Sequence, residues 1–225
     1  LLEAYKEVKG SRPEVIGLPL GLNLYELAQF WHKFFEELGF GVVVSPFSDR
    51  ELYLSGQHSI PSDTVCFPAK MMHGHVEYLK KREVDAIFYP CMTFNFDEGL
   101  GDNNYNCPVV AYYPEVIAAN MEKGDKTVFI NDYVGPHKKK YFPQKMTELL
   151  SKYFDNIDPK AVKRASDLAF KERDLFLKRV RDKAEDVVAL ARKEGKRIIV
   201  LAGRPYHVDP EINHGIDMLI NGFGV

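Results

Sequence analysis

Three cysteines are the residues of this 225-residue chain whose type and placement suit inorganic chemistry. Cys66 stands in "SDTVCFPAK", Cys91 in "IFYPCMTF" and Cys107 in "NYNCPVVA", each within two residues of a proline. Twenty-four residues separate Cys66 from Cys91, and 15 separate Cys91 from Cys107. No C-x2-C pair exists, which speaks against thioredoxin-type and zinc-finger motifs. An odd number of widely spaced cysteines makes no disulfide framework either. Three readings stay open: buried core thiols, thiolate ligands of one iron–sulfur cluster, or three ligands of a zinc ion completed by a histidine.

Around Cys66, helical spacing puts Lys70, His73 and Glu77 on the side of the cysteine, with Met72, Val76 and Leu79 toward a core. Lys70 and His73 are candidates to hydrogen-bond beside a bound cofactor or to hold a phosphate. The alternative is ordinary polar groups on a solvated helix face. His75 lies next to the apolar stripe and reads as a packed histidine. Near the other end, "AGRPYHVDPEINHG" gathers Arg204, His207, Asp209, Asn213 and His214 behind an apolar run. Arg204 and His207 are candidates for cofactor contacts; the alternative is a helix-capping loop.

The elements that must position these groups read as follows. "EVIGLPLGLN" (14–23) is a buried strand ending in a Gly-containing turn. An amphipathic helix then runs from an Asn23 N-cap, with Glu26 three residues on, to a stop at Gly39. "GVVVSPF" (41–47) is the next strand, and strand–helix–strand in so few residues predicts a βαβ unit. A helix beginning at Cys66 leads to the strand "VDAIFYP" (84–90). "PVVAYY" (108–113) and "KTVFINDYV" (126–134) read as further strands. Uninterrupted Val/Ile/Phe runs of this kind are typical of buried parallel strands. Cys91 then follows a strand's carboxyl end, Cys66 opens a helix, and Cys107 closes a polar loop and enters a strand. Parallel sheets bind ligands outside the carboxyl ends of their strands. A helix start adds N–H groups and a dipole that favour negative charge, such as that of a thiolate.

After Pro136 the chain is Lys/Glu/Leu-rich to Gly195, which predicts helices over about 143–154, 159–170 and on to about 194. The charges read as a solvated face with intrahelical pairs. "RIIVLAGRP" (197–205) restores strand character, and a helix follows. The fold class is therefore α/β: a 1–13 linker, a Rossmann-like parallel-sheet lobe over 14–135 carrying the three cysteines, a helical segment over 136–195, and the truncated start of a second α/β lobe over 196–225. With no initiator Met and a second unit that stops after one strand and helix, the reading expects a piece of a longer polypeptide.

Bulk composition narrows the function classes. A net charge of −2 gives no basic field for nucleic acid or an anionic membrane. No apolar run approaches the roughly 20 residues that cross a bilayer, and no secretory signal opens the chain, so a cytoplasmic location is expected. No G-x-x-x-x-G-K-[ST] phosphate loop occurs, which places ATP hydrolysis outside this chain.

The segments "VIGLPLGLNLYELAQFWHKFFEELGF", "SDTVCFPAKMMHGHV", "VDAIFYPCM", "NCPVVAYYPEVI" and "AGRPYHVDPEINHGI" together resemble the activase-associated domain of the 2-hydroxyacyl-CoA dehydratase family. That family includes benzoyl-CoA reductase subunits and double-cubane cluster proteins, and the resemblance covers about 14–225. It implies two Rossmann-like lobes with Cys66, Cys91 and Cys107 holding an iron–sulfur cluster, of 4Fe-4S or double-cubane type, near the cleft. It also implies electron transfer from an ATP-dependent activase domain or subunit, a CoA thioester as ligand, and a homo- or hetero-dimer. Two alternatives stand beside it: a non-catalytic docking or scaffold domain, and a zinc-stabilised small-molecule-binding domain.

Overall fold

In the computed structural model, which describes residues 1–5, 7–121 and 126–224, the chain builds a five-stranded sheet with helices on both faces. In chain order its elements are β1 (Glu7–Val8), β2 (Val15–Leu18), α1 (Leu22–Glu37), β3 (Gly41–Val44), α2 (Arg50–Gly56), α3 (Phe67–Lys81) and β4 (Ala86–Phe88). There follow α4 (Pro108–Asn120), β5 (Val128–Ile130), α5 (Phe142–Leu150), α6 (Pro159–Lys193), α7 (Pro210–Asn213) and α8 (Ile216–Asn221). The sheet order is β1-β3-β2-β4-β5. β2 to β5 run parallel, and β1 pairs antiparallel with β3 at the edge. This is the Rossmann-like α/β fold expected, with one edge strand that falls inside the supposed 1–13 linker.

The chain leaves β2 toward β3, then crosses back to place β4 on the other side of β2. The sheet therefore switches direction between β2 and β4, where open α/β sheets form a crevice at their carboxyl edge. Facing of the strands follows from register. Gly17 pairs with Ile87, so Phe88 points to the opposite face. On the Gly17 face a Cβ would lie 3.2 Å from Leu79, so α3 packs there at close range. On the Phe88 face sits α1, with the Trp31 and Phe35 rings 4.6 and 5.0 Å from Phe88. Phe30 of α1 meets Phe142 of α5 and Phe170 of α6 at 5.4 and 5.0 Å. These edge-on and tilted aromatic contacts, all fully buried or nearly so, form the centre of the core.

Several expectations are corrected. "PVVAYY" is not a strand but the first turns of α4: Cys107 is the N-cap and Pro108 the first helical residue, where a missing N–H costs nothing. A short apolar run does not by itself tell a strand from a buried helix. The expected 159–170 helix and its successor are one continuous helix, α6, because no Gly or Pro interrupts it before Gly195. The N-cap of α1 is Gly21 rather than Asn23, and Leu22 enters the helix with φ of 45°. Finally, 197–204 forms no strand; Ile199 and Val200 are 55% and 82% exposed. A lone strand has no ladder partner, so its backbone stays solvated. The helix expected after it is split into α7 and α8 by left-handed His214 and Gly215. Sequence reading missed α2, although Asp49 announces it by accepting the Leu52 N–H at 2.7 Å. Among the described residues no helix is long and apolar enough to cross a membrane.

Candidate functional site at the carboxyl edge of the sheet

The three cysteines are free thiols placed by element boundaries. Cys66 is the N-cap of α3 and Cys107 the N-cap of α4, both exposed and each followed by a proline in the first helical turn. Neither thiol caps its helix, in contrast to the Ser, Thr, Asp or Asn that usually stands there. Cys91 is three residues beyond β4 and only 1% exposed. Its N–H donates to the Asp132 carbonyl at 3.1 Å, which ties it to the end of β5. Burial, with the charges of Glu115 and Asp132, pushes the Cys91 thiol up to about 11.

Tyrosines lie between the thiols. Tyr89 is wholly buried and its hydroxyl has no hydrogen-bond partner among the described residues. Burial raises its pKa, and the negative charges of Tyr113, Cys91 and Cys66 add to the rise. Tyr206 is raised by burial, with Cys66 and Cys107 contributing against the lowering by Arg204. Cys66 thus shares one tyrosine neighbour with Cys91 and another with Cys107. Among the described residues no group of three or more His, Cys, Asp or Glu is arranged to hold a metal ion. A single zinc needs every ligand within about 2.0–2.3 Å of one point. An iron–sulfur cluster carries its own iron and sulfide bulk between its thiolates, so its ligands stand farther apart.

The polar groups of α3 are engaged inside the protein. His73 is 2% exposed, because α4 and the 57–59 turn cover the side of the helix expected to be solvated. Its ring meets Ser59 Oγ at 2.8 Å and the Tyr113 hydroxyl at 3.0 Å. Burial pushes it down to about 4, so it is neutral at pH 7. Lys70 donates to the Asp63 carbonyl at 2.8 Å. His75 is the packed histidine expected: fully buried, it meets Ser45 Oγ at 2.8 Å and Ser48 Oγ at 3.1 Å, and burial pushes it down to about 3. Ser45 Oγ already accepts the Leu20 N–H at 2.7 Å.

A polar cleft opens beside Cys107. Its volume is about 210 Å³, and its walls include Asn23, Glu26, Asn106, Cys107, Arg204 and Tyr206. An adjoining hollow of about 160 Å³ shares Glu26, Asn106 and Arg204. Arg204 lines both hollows. His207 does not line either hollow; its Nδ1 accepts the Arg204 N–H at 3.2 Å and its ring turns edge-on to Tyr206 at 4.8 Å. Sequence reading missed Tyr89, Tyr206 and Asn23 as site residues. The asparagine-rich "GDNNYNC" loop before Cys107 was the one local signal available.

A family model described as "CoA enzyme activase uncharacterised domain" matches residues 15–225. No curated protein and no solved structure matches the chain significantly.

Proposed function

The chain belongs to the CoA enzyme activase uncharacterised domain family, and from that premise we propose that it is an iron–sulfur domain in a CoA-enzyme activase system, related to the 2-hydroxyacyl-CoA dehydratases and benzoyl-CoA reductases. Cys66, Cys91 and Cys107 would hold the cluster at the carboxyl edge of the sheet. When bound, such a cluster supplies single electrons at low potential for chemistry on an acyl-CoA thioester.

The observation that carries this reading is the placement of the thiols, Cys66 and Cys107 at the starts of α3 and α4 and Cys91 just beyond the end of β4. Tyr89 feels both Cys91 and Cys66, and Tyr206 feels both Cys66 and Cys107. The two helix starts support it, since their N–H groups and dipoles offset the negative charge of a thiolate cluster. Buried Tyr89 and Cys91 would form the dry wall of the site, and exposed Cys66 and Cys107 the open one. Cys91, protonated as it stands, would release its proton on binding iron. His73 would act by fixing Tyr113 beside Cys66, and Lys70 by closing the 63–70 turn.

In this reading the partner is an ATP-dependent activase domain or subunit, and the working unit is a dimer. The test is iron and acid-labile sulfide content with an ultraviolet–visible spectrum, after reconstitution without oxygen. Stoichiometric iron and sulfide are expected, with loss in Cys91→Ala. Full iron retention in that variant would remove Cys91 from the site and the proposal with it.

A second reading, a docking or scaffold domain, draws on one surface. Val200, Met218 and Phe223 are 82%, 74% and 78% exposed on the C-terminal segment. Tight partner binding by a chain that takes up neither iron nor CoA would favour it.

A further inference from the structure

We propose that the cleft between the first turn of α1 and the Gly203–Tyr206 turn binds a small oxyanion, the carboxylate or phosphate of an organic ligand. The start of α1 is buried and has no side-chain cap. Its N-cap is Gly21, extended at φ of −159° and without a side chain to close the first turn. The leading N–H groups of a helix have no intrahelical partner, and over 16 residues the helix dipole adds positive potential there. Together these make an anion-binding end.

A second feature points to a ligand at the same place. Asn23, in that first turn, is 5% exposed and lines the cleft of about 210 Å³. Neither its Oδ1 nor its Nδ2 has a hydrogen-bond partner among the described residues. A buried amide stranded in this way is costly. The cost is recovered when a polar guest enters and meets it. The other two asparagines of the cleft, both half-buried, are already paired: Asn106 Nδ2 donates to the Met92 carbonyl at 2.9 Å, and Asn95 Nδ2 to Glu26 at 3.0 Å.

Charge selects the guest. Arg204 faces both hollows and makes no ion pair among the described residues. Glu26 is the acidic group of the inner cleft, and its carboxylate is tied to Asn95. The Asn23 end also lies near the helix start and Arg204, both of which attract an anion. Leu22, held at φ of 45° beside it, fixes the angle at which the first turn meets the cleft. The donors are all nitrogen groups; Cys107 lines the same cleft but is not among them.

The test uses the 225-residue chain without iron, its nitrogen-labelled spectrum followed while inorganic phosphate or, separately, propionate is added. A saturable shift of the Asn23 side-chain amide and the Arg204 Nε–H is expected with at least one of them. The anion that saturates at lower concentration tells a tetrahedral ligand from a planar one. Arg204→Gln, a change at an exposed side chain, should weaken binding by about tenfold or more. Asn23→Leu should also lose binding while making the free protein harder to unfold, since it removes two stranded polar atoms. No saturable change with either anion, or undiminished binding in both variants, overturns the proposal. Cys91→Ala should bind as the parent does. Loss of anion binding there would move the anion to the thiol edge and overturn this assignment, while leaving the cluster reading standing.

Discussion

The Asp209 carboxylate accepts the Ser48 backbone N–H at 3.1 Å, joining residues 161 apart in the chain. Asp209 is fully buried and also accepts the Glu211 and Ile212 N–H groups at the start of α7. Through Ser48 it connects to His75, Ser45 and Leu20, a polar line along the carboxyl edge. This one side chain clasps the C-terminal segment to the sheet. Asp209→Ala should lower stability by about 1–3 kcal/mol and speed proteolysis within 205–224. The fluorescence of Trp31, far inside the core, should stay native. Proteolysis at the parent rate would show that the apolar contacts hold the segment without the clasp.

His75 makes stability depend on pH with a definite sign. Burial pushes it down to about 3 in the fold, while an unfolded histidine titrates near 6.5. The unfolded chain therefore takes the proton first, and acid favours unfolding. The stability is fully present above pH 6.5 and is lost as pH falls toward 3. Between pH 6.5 and 5 the loss should be on the order of 1.4 kcal/mol per unit for this one group. His73 and His32, also lowered by burial, act in the same direction; Asp209, raised by burial, opposes them. Urea midpoints at three pH values would measure it. A flat profile would mean that His75 is not held neutral.

Gly74 should resist a substitution that helix propensity favours. Replacing a mid-helix glycine by alanine ordinarily gains about 1 kcal/mol. A Cβ here would lie 2.1 Å from the Leu52 carbonyl oxygen, because α2 crosses α3 at the backbone. Gly56 makes the reciprocal approach, with its Cβ position 2.3 Å from the Gly74 nitrogen. Gly74→Ala should therefore destabilise, by more than about 1 kcal/mol. A raised melting temperature in that variant would show the two helices free to separate.

Thiol reactivity should divide the cysteines. Cys66 and Cys107 are exposed, whereas Cys91 is 1% exposed with its thiol pushed up to about 11 by burial, Glu115 and Asp132. Only the thiolate reacts. Timed alkylation followed by mass spectrometry should label Cys66 and Cys107 well before Cys91 in the iron-free protein. After reconstitution with iron and sulfide all three should be protected together. Protection of Cys91 alone would leave the other two outside any shared site.

What was legible in the sequence follows from what each signal encodes. The runs at Val15, Val42 and Ala86 are buried on both faces, so they read as parallel strands and proved to be so. Cys66 at a helix start was legible because Pro68 marks a first turn. At Pro108 the same signal was overruled by the β-branched and aromatic residues after it, though the proline was the better guide. The extended 197–204 stretch shows the reverse limit: strand propensity is realised only beside another strand. Asn23 and Tyr89 were illegible as site residues for a different reason. Their interest lies in the partners they lack, and sequence patterns carry no record of a missing hydrogen bond.

The length of α6 has a mechanical consequence. Up to Arg179 the helix is held, by Phe170 in the core, by Arg173 over the Phe96 ring at 3.7 Å, and by Arg179 on the Tyr5 hydroxyl at 2.5 Å. From Val180 to Lys193 no residue is buried, and at about 1.5 Å per residue this portion extends roughly 20 Å, facing residues 196–199 and 220–221 across a shared hollow. As a rigid helix it has the geometry of a lever arm with Arg179 near its base. A tilt of about 10° there swings the far end by roughly 4 Å over that length, while the aromatic core barely deforms. Motion at the tip is thus amplified from small adjustments around Tyr5, a residue whose hydroxyl bridges Glu172 and Arg179.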